Sequence, residues 1–198
     1  MKTLIVTLLL LAAAVAQDSK ATGQTPVHPN VVGAQMAVDL AAQVPTPRPE
    51  DVKTMDGILH AVYDSISGPA GDRDWNRFRS LFIPQVRFTQ SGKKPDGTVF
   101  LNPMSEDDFI RLATEVFKSA PFYENALVNR SQSYGNITQV FSSYESRRAP
   151  GEKPFDRGIN SMQLFNDGKR WWVISIFWDD ERPDNPLPVE FATASKKN

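Results

Sequence analysis

Phe155 to Glu181 reads FDRGINSMQLFNDGKRWWVISIFWDDE, two runs of strand-forming residues around Asn166-Asp167-Gly168-Lys169-Arg170. Asp-Gly favours the positive φ angles of a tight turn, so the stretch predicts a β-hairpin with strands Gly158 to Phe165 and Trp171 to Trp178. With Asp167 and Gly168 as the two turn residues, Asn166 is expected to pair with Lys169, Leu164 with Trp171, Gln163 with Trp172 and Met162 with Val173. Alternation puts Trp172, Ile174, Ile176 and Trp178 on one face of the second strand, and Trp171, Val173, Ser175 and Phe177 on the other. Neither face is polar, which predicts a central strand covered on both sides.

Two more strands precede this hairpin, about Phe122 to Tyr134 and Ile137 to Arg147, joined at Gly135-Asn136 and followed by the Arg148 to Pro154 loop. Upstream, Pro49-Glu50-Asp51 opens a helix whose stripe is Val52, Met55, Leu59, Val62 and Ile66, and Gly68-Pro69-Ala70-Gly71 ends it. Asp74 is placed to cap a second helix carrying Trp75, Phe78, Leu81 and Phe82 up to Pro84. Short strands are expected at Val86 to Ser91 and Thr98 to Leu101. Ser105-Glu106-Asp107-Asp108 resembles a capping box and starts a third helix, with Phe109, Leu112, Ala113, Val116 and Phe117 on one face. Helix, helix, strand, strand, helix and four strands predict an α+β domain: a curved, mostly antiparallel sheet of about six strands with three helices from its N-terminal half packed on one face.

Lys2, the apolar run Leu4 to Val15 and the Ala14-Val15-Ala16 site read as a signal peptide over 1–16, cleaved after Ala16, so the protein is expected to be secreted or periplasmic. The run is too short for a stable membrane anchor. Residues 17–49, with five prolines, read as a flexible tether; 50–191 form the domain and 192–198 a disordered tail. A chain with no cysteine has no disulfide, thiol nucleophile or cysteine metal site. With 22 basic and 23 acidic side chains it carries no electrostatic footprint for nucleic acid. Its two histidines, His28 and His60, lie too far apart to suggest a metal site, and no cofactor is expected.

Gly71-Asp72-Arg73-Asp74-Trp75 through Leu81-Phe82-Ile83-Pro84-Gln85-Val86-Arg87-Phe88, with the closing Asp167-Gly168 and Trp172-Val173-Ile174, resembles the nuclear transport factor 2-like superfamily. That superfamily includes SnoaL-like polyketide cyclases and ketosteroid isomerases, and the resemblance spans about Glu50 to Glu181. It implies a cone in which a bent sheet and three helices enclose a deep, mostly apolar pocket, used for catalysis, binding or dimerisation. It also implies that Tyr63 stands where the isomerases keep the tyrosine that donates to the substrate oxyanion. Counting from Leu81-Phe82, their aspartate base falls on Gln90, which cannot accept a proton at neutral pH. Isomerisation is therefore not expected, and their late-strand acid has no assigned counterpart.

The pocket candidates are Tyr63, Trp75, Phe88, Gln90, Tyr123, Trp178 and Asp180, aromatic and polar groups suited to an apolar or ring-containing ligand. Asp56, His60 and Asp64 recur every four residues, a spacing that could orient an imidazole but fits a solvated helix face better. Arg147, Arg148, Lys153 and Arg157 bracket Pro150-Gly151 among acids, as in a charged loop. Asn129 and Asn136 open glycosylation sequons. The reading is an exported pocket protein that binds a small apolar or aromatic molecule. The alternatives are a pocket enzyme (cyclase, dehydratase or hydrolase) using Tyr63 with an acid such as Asp64 or Asp180, and a dimerisation or scaffolding module; a homodimer through the sheet fits either.

Overall fold

The helices begin where the sequence offers an oxygen to the first free N–H groups. Thr54 Oγ1 accepts from Gly57 N at 2.9 Å, Asp74 Oδ1 from Arg77 N at 2.9 Å, and Ser105 and Asp108 close a capping box in which aspartate replaces glutamate. A computed structural model describes residues 37–192, so the signal-peptide reading, residues 17–36 of the tether and residues 193–198 of the tail lie outside the described residues. After a 3₁₀ turn at Ala41–Gln43 come α1 (Pro49–Val52), α2 (Met55–Ile66), α3 (Trp75–Arg79), β1 (Phe82–Lys93), β2 (Val99–Met104) and α4 (Glu106–Ser119). Then follow β3 (Tyr123–Tyr134), β4 (Ile137–Arg147), β5 (Asp156–Asn166), β6 (Trp171–Asp180) and α5 (Val189–Ala192). The six strands form one sheet in the order β2-β1-β6-β5-β4-β3, antiparallel except for β1 beside β6. The fold is α+β, as expected.

Two helical expectations need correction. The single helix from Pro49 divides at Lys53-Thr54, where Thr54 turns extended and becomes the cap of α2. The second helix stops at Arg79: Phe82 already belongs to β1, which runs through Pro84. Proline lacks the N–H a regular ladder needs, and the pairing of β1 with β6 is irregular between Phe82 and Arg87, where Pro84 sits.

The hairpin forms with a different register. Asn166 pairs with Trp171, Phe165 with Trp172 and Leu164 with Val173, leaving Asp167 to Arg170 as the connection. Only Gly168 takes positive φ, at 87°, so the turn with two left-handed residues does not form. Asp167 organises the wider loop instead: its carboxylate accepts from Lys169 N, Arg170 N and Trp172 Nε1 at 2.7, 2.7 and 2.8 Å. A bulge then passes over Ile174, so that Gln163 meets Ser175. It breaks the expected face: Trp171 and Val173 pack with the core, and so do Ile176 and Trp178, while Trp172 does not. Nor is β6 covered on both sides throughout, since Phe177 is 46% exposed. Trp172 is buried because the Arg170 guanidinium lies 3.6 Å from its ring centre.

Phe78 joins the helices to the sheet. Its ring lies 4.6 Å from Phe82, 5.8 Å from Phe88 and 5.4 Å from Phe109. On α4, Ala113 and Phe117 are buried as the stripe predicts, but Leu112 and Val116 stay 44% and 49% exposed and edge a cavity.

Candidate functional site

The cavity holds about 340 Å³. Its apolar wall comes from α2 (Val62, Ile66), α3 (Phe78), β1 (Phe88), β2 (Met104), α4 (Phe109, Ala113, Phe117) and β6 (Ile176, Trp178). Its polar end gathers Glu124, Tyr144, Asp156, Asn160 and Asp180, with Gln90 and Asn102 beyond Trp178 on the adjoining β1 and β2.

Strand register explains this polar end. In one row Tyr144 pairs with Gly158 and Gly158 with Asp180; in the adjoining row Glu124 pairs with Ser146 and Ser146 with Asp156. Gly158 has no Cβ, and one placed there would collide with the Tyr144 hydroxyl and the Asp179 carbonyl. Tyr144 therefore crosses the middle strand and donates to Asp180 Oδ1 at 2.6 Å. In the other row Ser146 Oγ donates to Glu124 Oε2 at 2.6 Å. The β6 bulge completes the arrangement by keeping Trp178 and Asp180 on the face of Ile176.

Burial pushes the Glu124 carboxyl up to about 7; the Ser146 hydrogen bond opposes that, and the charges of Asp156 and Asp180 add to it. Asp156 is pushed up to about 6, again first by burial and then by Asp180. Burial also drives the Tyr144 phenol far above its ordinary value, so it stays a neutral donor. Arg147, Arg157 and Arg182 pair with Glu145, Glu181 and Asp179, and Arg182 also donates to the Asp180 carbonyl at 3.1 Å. Among the described residues, no lysine or arginine pairs with Glu124, Asp156 or Asp180.

Of the sequence candidates, the cavity brings together Phe88, Gln90, Trp178 and Asp180. Tyr63 does not line it. Its hydroxyl lies behind the wall, 2.6 Å from Ser142 Oγ and accepting from Asn160 Nδ2 at 3.1 Å. Trp75 packs away from the cavity, stacked on Phe117 at 6.2 Å and edge-on to Phe78 at 5.5 Å. Tyr63 and Tyr123 line a second groove of about 560 Å³ with Asp56, His60, Asp64 and Arg147, and Glu124 borders both it and the cavity. There Asp56, His60 and Asp64 are exposed, and Asp64 is bound by Arg77 Nη1 at 2.5 Å, so the repeat is a solvated helix face. Arg148 stacks 4.1 Å over Phe155 and Arg147 binds Glu145, so these cations do not converge. Asn129 is exposed, whereas Asn136 Nδ2 donates to Asn166 O at 2.6 Å. Glu124, Tyr144, Asp156 and Asn160 were not singled out from sequence. The alternation of Asp156, Gly158 and Asn160 on one strand was the available signal.

No family model and no curated protein matches the chain. The chain is similar to nuclear transport factor 2-like proteins of solved structure. One, a superfamily member from Salmonella enterica serovar Typhimurium LT2, is 12% identical with a TM-score of 0.44, covering 68% of this chain and 90% of its own. Another, of unknown function, from Shewanella baltica OS155, is 17% identical with a TM-score of 0.35, covering 55% and 79%. A protein of unknown function with a cystatin-like fold from Nostoc punctiforme PCC 73102 is 10% identical with a TM-score of 0.48, covering 68% and 98%.

Proposed function

We propose that this is a pocket protein that binds a small molecule with an apolar or aromatic body. The observation that carries the reading is the cavity itself, where Phe88, Phe109 and Trp178 form an aromatic wall facing a hydrogen-bonding end. Wall and polar end together fix a ligand's orientation as well as hold it. A thermal-shift panel of aromatic, polyketide-like and steroid-like compounds tests this, since a ligand at 100 times its Kd adds about 2.7 kcal/mol. Hits should weaken in Trp178→Ala; a panel without any stabilising compound counts against the pocket. Export belongs to the proposal on the strength of the leader read at 1–16, and mass spectrometry of exported protein should find Gln17 first.

A second reading, a pocket enzyme, is favoured by Glu124, a carboxyl at the cavity that titrates near neutrality. Tyr63 and Asp64 are poor partners for it, one enclosed by Ser142 and Asn160 and the other bound to Arg77. Turnover by wild type that Glu124→Gln abolishes would establish this reading.

A further inference from the structure

Resting on the pocket reading above, we infer that the ligand carries a cationic nitrogen: it is an apolar or aromatic amine whose ammonium sits among Glu124, Asp156 and Asp180. The first argument is charge. Three carboxylates from β3, β5 and β6 face one cavity, and the neighbouring arginines are spent on Glu145, Glu181 and Asp179. Acids gathered at one end of an apolar cavity, none of them in an ion pair among the described residues and only Asp180 sensed by an arginine, repel one another and lose hydration, a cost that an entering cation offsets.

The second argument is independent of charge and concerns hydrogen-bond inventory. Asn160 is 7% exposed and lines the cavity; it spends Nδ2 on Tyr63, and its Oδ1 accepts nothing among the described residues. Glu124 Oε1 and Asp180 Oδ2 are likewise without a donor, because Ser146 and Tyr144 serve only the other oxygen of each carboxyl. The polar end is thus rich in acceptors, and its own hydroxyl, Tyr144, already donates to Asp180. An ammonium, with three donors and no acceptor, complements that set, whereas a carboxylate or phosphate ligand would meet like charge.

The third argument separates organic from inorganic cations. Among the described residues no group of three acids or histidines is arranged to hold a metal ion. The acids are spread along the end of an aromatic chamber, which suits a cation attached to an apolar body that fills the space against Phe88 and Trp178.

The test uses matched triplets of amine, alcohol and carboxylate on phenyl-propyl, indole-ethyl and decalin frameworks, with Kd measured by calorimetry on the mature chain. The amine of at least one framework should bind about tenfold or more tighter than its alcohol, and the carboxylate weakest. Asp156→Asn should reduce the amine's affinity by more than it reduces the alcohol's, narrowing the difference between the two. Because Asp156 makes no side-chain hydrogen bond to another described side chain and its charge is disfavoured by burial, that variant is expected to keep the wild-type circular dichroism and to melt no lower than wild type. Should Asp156→Asn fail to fold, Asp180→Asn, which retains an acceptor for Tyr144, serves in its place. Equal binding of amine and alcohol would overturn the cationic ligand but leave the pocket standing. Absence of binding by all three frameworks at millimolar concentration would overturn both.

Discussion

Gly158 shows what a single residue decides here. In the middle of a strand glycine normally weakens the element, having no side chain to pack. Here the missing Cβ is the space through which Tyr144 reaches Asp180, so the residue serves the site at some cost to the sheet. Glu124 makes a similar exchange with a sign that can be measured. Unfolded, its carboxyl titrates at 4.5; folded, burial raises it to about 7. Between those values the unfolded chain has released a proton that the folded chain still holds. The contribution of Glu124 is therefore fully present below about pH 4 and is lost as pH rises through about 7. Asp156, titrating near 6, acts in the same sense. Glu124→Gln keeps the neutral shape at every pH, so it should gain on the order of 1 kcal/mol at pH 8 and almost nothing at pH 4. Urea denaturation at the two pH values measures this, and an unchanged difference between them would mean that Glu124 is hydrated rather than enclosed. Asp180 was legible from sequence because it stands two residues past Trp178, on the same face of the strand. Glu124 was not, because β3 runs through Asn, Arg, Ser and Gln with no apolar alternation to show which side faces in.

At the scale of elements, the closing hairpin was legible as a hairpin and illegible in its register. Asp-Gly announces a turn, but its length depends on where the Asp167 carboxylate finds its donors, and these include an indole four residues beyond the glycine. The bulge at Ile174 left no mark either, since both faces of β6 are written in apolar residues. The caps at Asp74 and Ser105 were easier, because each acts on N–H groups within one turn of itself, whereas Thr54, inside the expected first helix, was missed. The end of α3 was harder: Pro84 looked like a stop, yet it lies in the irregular start of a strand. The hairpin's strength rests on Trp172, which is 1% exposed, covered by Arg170 and hydrogen-bonded to Asp167. Trp172→Ala should cost about 3–5 kcal/mol by denaturant titration. A loss below about 1 kcal/mol, the range of ordinary surface substitutions, would show that the loop re-closes without the indole.

Over the whole molecule, local periodicity supplied the elements and their order, and the fold class followed. The neighbour relation between β1 and β6 did not, because parallel pairing between Phe88 and Ile176 leaves no trace in either stretch alone. Whether the apolar side chains of α2, α4 and the sheet fill their interior or leave part of it open was equally unreadable, since the same residues suit either case. The answer depends on how far α4 stands from β6. Ala113 lines the cavity while only 8% exposed, so it probes that separation directly. In a filled core Ala113→Leu would overpack and cost about 1–3 kcal/mol. With about 340 Å³ of open space before it, the added side chain has room, and leucine suits a helix. Stability should then hold or rise by about 1 kcal/mol, while the affinity for the best-binding amine falls about tenfold because its volume is taken. Chemical denaturation and calorimetry on the same preparation read the two effects. A destabilised variant would show an interior closed around Ala113, and one that is stabilised yet binds undiminished would show that the ligand sits elsewhere.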